Sequence, residues 1–247
     1  FGVVTSSKDP LYAFLAEHGF LSSSGNIMRM ARKSSSYQVD SERGAFLREH
    51  RRCLDSIIAY CNDYVYHGRL LPLKGDCPKY AALPPKGYVH VNGFSQKGKT
   101  GSRFNEAEAI AIVKWLSREK EKLEEAYRKP IHQVAAIVTP FKAQEWRLRR
   151  LLDELPNASD FVEMTVGTVH SLQGAQYPLV IFSPVNSPGD AAYFMEAGGK
   201  YNMLNVAVSR AQYHFLVFGN MNIFHPNRDT PLGNLAKWLF DSPQNEI

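Results

Sequence analysis

Asn202-Met203-Leu204-Asn205-Val206-Ala207-Val208-Ser209-Arg210-Ala211, followed by the apolar run Phe215-Leu216-Val217-Phe218, decides how this chain is read. Leu204, Ala207, Val208 and Ala211 recur at the i, i+3, i+4, i+7 spacing of a helix with one buried face, and Asn205, Ser209 and Gln212 fall on the other side. The run after it fits a strand buried on both faces, as in a parallel sheet covered by helices. Arg210 then sits in the last helical turn, directly before that strand. Two roles are open to it. Its charge can ease the negative end of the helix dipole. Alternatively, held by a helix against a rigid sheet, it can be aimed at a phosphate with little side-chain entropy left to lose.

Upstream of this stretch, strands and helices alternate. Tyr88-Val89-His90-Val91, the run Gln133-Val134-Ala135-Ala136-Ile137-Val138, residues 161–164 and Leu179-Val180-Ile181-Phe182 are expected strands. Asn105 opens a helix with Glu108 three residues on, a capping-box pattern, and Ile110, Val113 and Leu116 continue it. Residues 141–155 and 232–240 are expected helices. Such alternation implies an α/β fold, a mostly parallel sheet with helices on both faces. Before Gly87 the pattern weakens. A short helix is expected at residues 11–18, and a mostly helical stretch at 42–67 with an apolar stripe of Leu54, Ile57, Ile58, Cys61 and Val65. Residues 70–85 are rich in Pro and Gly and read as irregular. The expected organisation is a largely helical and irregular N-terminal segment, residues 1–86, packed on a domain of residues 87–247.

The chain has 247 residues, 44% hydrophobic and 21% charged, an ordinary soluble composition. No run of about 18 apolar residues reads as a membrane span, and no signal peptide is visible. The first residue is Phe1 rather than Met, so the chain is expected to be a piece of a longer protein. A formal charge of +5 is compatible with a polyanionic partner. Cys53, Cys61 and Cys77 make no disulfide framework and no C-x-x-C pair, so no metal site is expected. Free thiols fit a reducing cytoplasm, the expected location.

Three further stretches carry candidate chemistry. In Ile137-Val138-Thr139-Pro140-Phe141-Lys142-Ala143-Gln144, a strand runs into a turn and a helix, and ligands of open α/β sheets bind beyond such strand ends. Thr139 and Gln144 can bond a phosphate or base and Phe141 can stack on one; a plain Thr-Pro turn with a core phenylalanine is the other reading. Val166-Gly167-Thr168-Val169-His170-Ser171-Leu172-Gln173-Gly174-Ala175-Gln176 is a donor-rich loop beside a strand, with Gly174 allowing close backbone approach, or simply a polar turn. Leu47-Arg48-Glu49-His50-Arg51-Arg52-Cys53 is a basic cluster that could merely be solvated.

Together these stretches resemble superfamily 1 helicases over about residues 45 to 220. Asn205-Val206-Ala207-Val208-Ser209-Arg210-Ala211 is similar to that family's Asn-Val-Ala-Leu-Thr-Arg-Ala. Thr139 to Gln144 resembles Thr-Pro-Tyr-x-x-Gln, and Thr168 to Gln176 resembles Thr-Val-Asp-Ser-Phe-Gln-Gly-Arg-Glu. The basic cluster, with Tyr66-His67-Gly68-Arg69-Leu70 downstream, resembles Gln-Tyr-Arg-Met-His and Phe-Tyr-x-Gly-x-Leu, with the arginine at Arg51. This points to the branch that includes RNA-surveillance and replication-associated helicases. The resemblance implies the second RecA-like domain, a three-layer fold with a helical N-terminal extension. It further implies arginine fingers Arg210 and Arg51 acting on ATP and Mg2+ bound mainly by an N-terminal RecA-like domain of the same protein. Gly174 and Gln176 would face the nucleotide. Thr139, Phe141, Gln144, Thr168, His170 and Ser171 would grip single-stranded DNA or RNA, with no membrane involved. The two arginines are expected to converge at one rim, beside the threonine corners, and the chain alone to hydrolyse essentially no ATP. Two departures matter. Ala175-Gln176 stands for Arg-Glu, and His170 for Asp; a glutamine cannot make a carboxylate's charge-assisted bonds. A non-catalytic nucleic-acid-binding module is therefore a further reading.

Gly93-Phe94-Ser95-Gln96-Lys97-Gly98-Lys99-Thr100 literally satisfies the phosphate-loop pattern G-x-x-x-x-G-K-[ST]. A self-contained ATPase or phosphotransferase would use it. Such a loop must open a helix at its Lys-Thr, and here the next helix start is Asn105, about a turn too late.

Overall fold

The computed structural model describes residues 8–18, 20–21, 27–39, 42–77, 80, 82–98, 100–168, 172, 174–190 and 201–247. The chain divides into two units, Phe1–Arg48 and Glu49–Ile247. The first holds α1 (Pro10–His18), α2 (Ile27–Ser34) and the two-residue antiparallel pair β1 (Gln38–Val39) and β2 (Glu42–Arg43).

The second unit begins earlier than residue 87. β3 (Glu49–His50) is followed by α3 (Asp55–Tyr64), then β4 (Leu71–Pro72), which pairs with β3. α3 is shorter than the expected 42–67 helix, because Leu54 before it is tied down: its N–H donates to Gln212 O at 3.0 Å. Ile57, Ile58, Tyr60 and Cys61 of α3 are buried in the same core as the sheet, so residues 49–86 belong to this unit.

The remaining elements are β5 (Lys86–His90), β6 (Ser95–Lys97), β7 (Arg103–Asn105), α4 (Glu106–Tyr127), α5 (Ile131–Val134), β8 (Ala135–Thr139), α6 (Lys142–Asp153), β9 (Thr165–Thr168), β10 (Tyr177–Phe182), α7 (Tyr201–Val208), β11 (Ala211–Gly219) and α8 (Pro231–Leu239). The sheet order is β5-β11-β10-β8-β9, and every pairing in it is parallel. Side chains alternate across it, as the two-residue period of a strand demands. Ala136, Val138, Val180, Phe182, Phe215 and Val217 face the layer of α3, α7 and α8. Ala135, Ile137, Leu179, Ile181, Leu216 and Phe218 face the layer of α4, α5 and α6. This is the expected three-layer, RecA-like α/β architecture. No helix among the described residues is long and apolar enough to cross a membrane.

Two local expectations fail. Residues 161–164 are not a strand; Ala158–Phe161 is a 3-10 turn and β9 starts at Thr165. Phe161 and Met164 are both buried, three residues apart, which is a helical-turn spacing rather than a strand's. The phosphate-loop match contains the strand β6, the first arm of a hairpin whose second arm is β7. β6 and β7 pair antiparallel, Gly98 N–H donates to Ser102 O (2.7 Å) and Gly101 N–H to Gly98 O (2.9 Å). Lys99 lies outside the described residues. The helix opens only at Glu106, with the Asn105 side chain accepting from Glu108 N–H at 3.2 Å. Helix N–H groups are thus not presented at Gly98–Thr100. Nucleotide titrations of the chain and of Lys99→Ala should therefore superimpose; weaker binding by the variant would restore a phosphate-loop function.

Candidate functional site

α7 ends at Val208, so Arg210 lies just beyond the helix rather than in its last turn. Its backbone is fixed on both sides: its N–H donates to Ala207 O (3.3 Å), and its carbonyl accepts from Tyr177 N–H (3.0 Å). The side chain is half-buried. Nη1 donates to Ala175 O at 3.3 Å, and Nε is buried with no partner. Burial, and next the charge of Arg52, hold its pKa below the ordinary arginine value.

Arg52, not Arg51, is therefore the arginine that Arg210 feels. Arg51 turns outward, 68% exposed, and pairs with Glu49 at 3.1 Å. Exposed pairs of this kind hold weakly in water. The next two residues explain the difference. Cys53 and Leu54 are buried, with Cys53 Sγ donating to Ser209 O (3.4 Å) and Leu54 N–H to Gln212 O. This docks the segment onto the turn that carries Arg210. Arg52 is exposed and has no carboxylate partner among the described residues. Lys74 Nζ donates to Arg52 O (2.7 Å) and Gln212 O (3.0 Å) and lies 3.8 Å above the Tyr213 ring. Burial first, then Arg52 and Lys74, hold the His50 pKa down, and its Nε2 accepts Cys53 N–H at 3.1 Å. Burial pushes the Cys53 thiol up to about 12, so it stays an unreactive thiol. Sequence reasoning missed Arg52 and Lys74. The available signal was the pair of adjacent arginines before the apolar Cys53-Leu54.

Gly174 and Gln176 lie beside this rim, before β10. Gly174 has φ +95° and nothing within 4 Å of where a Cβ would stand, so the glycine answers a left-handed backbone and not a close approach. Gln176 Oε1 accepts from Gln212 Nε2 at 3.2 Å. The rim gathers Arg52, Lys74 and Arg210 at the starting ends of β10 and β11, a setting that suits an anion.

The threonine corners are elsewhere. Thr139 and Thr168 are Cα partners at the finishing ends of β8 and β9. In a parallel sheet with strands of five or six residues, that edge is about 17 Å or more from the arginine rim, so the expected adjacency does not hold. Thr139 is fully buried, its Oγ1 accepting Phe141 N–H at 3.4 Å. Gln144 is also fully buried. Its Oε1 accepts from Asn105 N–H (2.9 Å), and its Nε2 donates to Asn105 O (3.2 Å) and Ser183 Oγ (3.0 Å). Both side chains are spent on the corner's own structure and have no surface for a strand. Phe141 and Thr168 are half-buried and reachable. His170 and Ser171 lie outside the described residues.

Under this corner sits a buried polar node. Glu108 does not complete a capping box. Gln144 takes the Asn105 N–H, and the Glu108 carboxylate accepts instead from Ser183 Oγ and from Val185 N–H (3.0 Å). Its Oε2 has no partner. Burial, opposed by those two hydrogen bonds, pushes the carboxyl up to about 8.

Residues 28–222 match the AAA domain family. The human RNA helicase Mov10l1 is 27% identical over 169 residues, which are 63% of this chain and 13% of that protein. The mouse 5′-3′ DNA helicase ZGRF1 is 26% identical over 186 residues, 74% of this chain and 9% of that protein. The chain thus spans a small fraction of the curated relatives it matches. A solved C-terminal domain of a possible DNA helicase from Lactobacillus plantarum aligns at 14% identity with a TM-score of 0.40, covering 68% of this chain and 85% of that one.

The Glu108 node makes a pH prediction. The folded chain holds this proton more tightly than the unfolded chain, whose carboxyl ionises near the ordinary 4.5. The stability it contributes is complete below that value and is lost as pH rises to about 8. Glu108→Gln, neutral and similar in shape, should flatten the fall in urea-denaturation stability between about pH 5 and pH 8. Parallel profiles for the two proteins would mean that Glu108 is ionised when folded.

Proposed function

Since the chain belongs to the AAA domain family, as the C-terminal domain of a superfamily 1 helicase, we propose that it is the second motor domain of that enzyme and lends Arg210 and Arg52 to ATP held mainly by an N-terminal RecA-like domain. The observation that carries this is the rim. The charge of Arg52 lies close enough to hold the Arg210 pKa down, neither arginine has a carboxylate partner among the described residues, and the buried Nε of Arg210 is unsatisfied. A phosphate answers all three conditions at once. ATP supplies a phosphoryl group on whose oxygens negative charge gathers as it is transferred to water. Arg210, fixed by the α7–β11 turn, would neutralise that charge with little reorganisation, and Arg52 would reach it from the docked segment before α3. Mg2+ would be held mainly by the N-terminal domain, with the nucleotide.

At the opposite edge, Thr168 and Phe141, with His170 and Ser171 that follow Thr168 in the sequence, would grip single-stranded DNA or RNA. Thr139 and Gln144 would support that corner from beneath. Because β8, β10 and β11 form one rigid sheet, closing the nucleotide cleft at one end would move the grip at the other. Three free cysteines are consistent with a reducing, cytoplasmic setting for this protein.

Gln176 favours a second reading, a nucleic-acid-binding module without hydrolysis, because its amide bonds Gln212 and brings no charge to the rim. ATPase assays on the full-length protein separate the two. Arg210→Ala and Arg52→Ala should each lower kcat by about 10³-fold or more, while Arg51→Ala should stay within a few fold of wild type. Loss of activity on Arg51→Ala with Arg52→Ala unaffected would reverse the assignment. A wild-type protein that binds single strands in a salt-dependent way but hydrolyses nothing would establish the second reading.

A further inference from the structure

α6 is amphipathic in an unusual way. Gln144, Glu145, Leu148 and Leu152 are buried, but the opposite face carries Trp146, 75% exposed. The other two tryptophans, Trp115 and Trp238, are 6% and 8% exposed. A single exposed apolar residue on a soluble protein calls for no explanation. The surroundings of this one do.

Residues three and four apart share a helix face, so Lys142, Arg149 and Arg150 flank the Trp146 indole one turn to either side. Their carboxylate partners are Glu145, 10% exposed, for Lys142 and Arg149, and the open Glu154 for Arg150; the cations themselves reach water, with Lys142 67% exposed, Arg149 48% and Arg150 71%. The Arg150–Glu154 pair, exposed on both sides, exchanges readily for another anion, while Lys142 and Arg149 keep Glu145 and present their open sides. Arg149 also donates to Val166 O on the open edge of β9, the strand that ends at Thr168. Toward the start of α6, Ala143 N–H donates to Ser102 Oγ (3.1 Å), and a Cβ on Gly98 would lie 3.5 Å from the Ala143 Cβ. The tip of the β6–β7 hairpin therefore abuts the same face as Trp146, with Lys97 exposed and without an ion partner among the described residues. The stretch that imitates a phosphate loop thus continues a strip of cations with one aromatic ring in its middle. Cations spaced around a flat ring suit a chain of phosphates carrying bases with exposed faces.

Resting on the nucleic-acid grip proposed above, we propose that Trp146 is a stacking platform for one base of a single strand, with Lys142, Arg149 and Arg150 meeting the adjacent phosphates and Lys97 extending the track. Stacking is sequence-tolerant, because every base has a π-face, so the platform would accept DNA and RNA alike. The strand would then run from the Thr168 edge across α6 to the hairpin.

The test uses the 247-residue chain, an oligo-dT and an oligo-U strand, with labelled-strand anisotropy and intrinsic tryptophan fluorescence as two readouts. Wild type should show quenching that tracks strand binding. Trp146→Leu should lose the quenching and bind about tenfold more weakly, Trp146→Phe should recover most of the affinity, and both should melt like wild type because the side chain is exposed. Equal affinity of wild type and Trp146→Leu, with binding still sensitive to Thr168→Ala, would overturn the platform and leave the grip standing. Absence of strand binding by wild type would overturn both. A change in sedimentation on Trp146→Leu without a change in strand affinity would make the face a protein contact and overturn the platform.

Discussion

Leu179, Val180, Ile181 and Phe182 of β10 are all fully buried, alternately against one helical layer and the other. The same holds for the neighbouring residues of β8 and β11. A sheet sealed on both faces by apolar contact leaves only its two ends open to polar chemistry. The candidate groups that the sheet itself positions obey that constraint. Arg52, Arg210 and Gln176 cluster where β10 and β11 begin, and Phe141 and Thr168 lie where β8 and β9 finish. In the proposed reading, the apolar body between them would serve as a stiff link between the two ends.

The finishing end is costly to build. Strand ends expose backbone groups, and here they are satisfied by side chains that a surface site would otherwise use. Gln144 closes the gap between Asn105 and Ser183, and Glu108 holds Ser183 and the Val185 N–H. Val185 sits at φ +71°, a strained conformation for a β-branched residue, which persists because its surroundings over-determine it. Farther along, Asp190 accepts from Arg103 and Ser95, tying the segment after β10 to the hairpin. The corner is therefore held from below by one buried node and from the side by one ion pair.

The starting end is built from repulsion. Arg52, Lys74 and Arg210 are gathered by hydrophobic docking of Cys53 and Leu54 and by backbone hydrogen bonds, not by mutual attraction. Like charges brought together by packing are stable only at a cost, and an arriving anion removes it.

The sequence alone determined a good deal. The period of the apolar residues identified the covered parallel sheet, the helix before β11 and the capped start of α4, because these depend on spacing within one element. It also located the polar residues that cluster at strand ends. Other choices needed the folded chain. Arg51 and Arg52 are chemically identical neighbours, and only in the fold, with Leu54 docked on Gln212 O far along the chain, does Arg51 pair with Glu49 while the charge of Arg52 acts on Arg210. Gln144 reads as a surface donor, yet Asn105 and Ser183, about forty residues to either side, consume its amide. Gly93 to Thr100 matched a phosphate loop letter for letter, and cross-strand pairing made it part of a hairpin. In each case the deciding contact joins segments distant in sequence, and no periodicity within one segment records which partner its polar atoms will find.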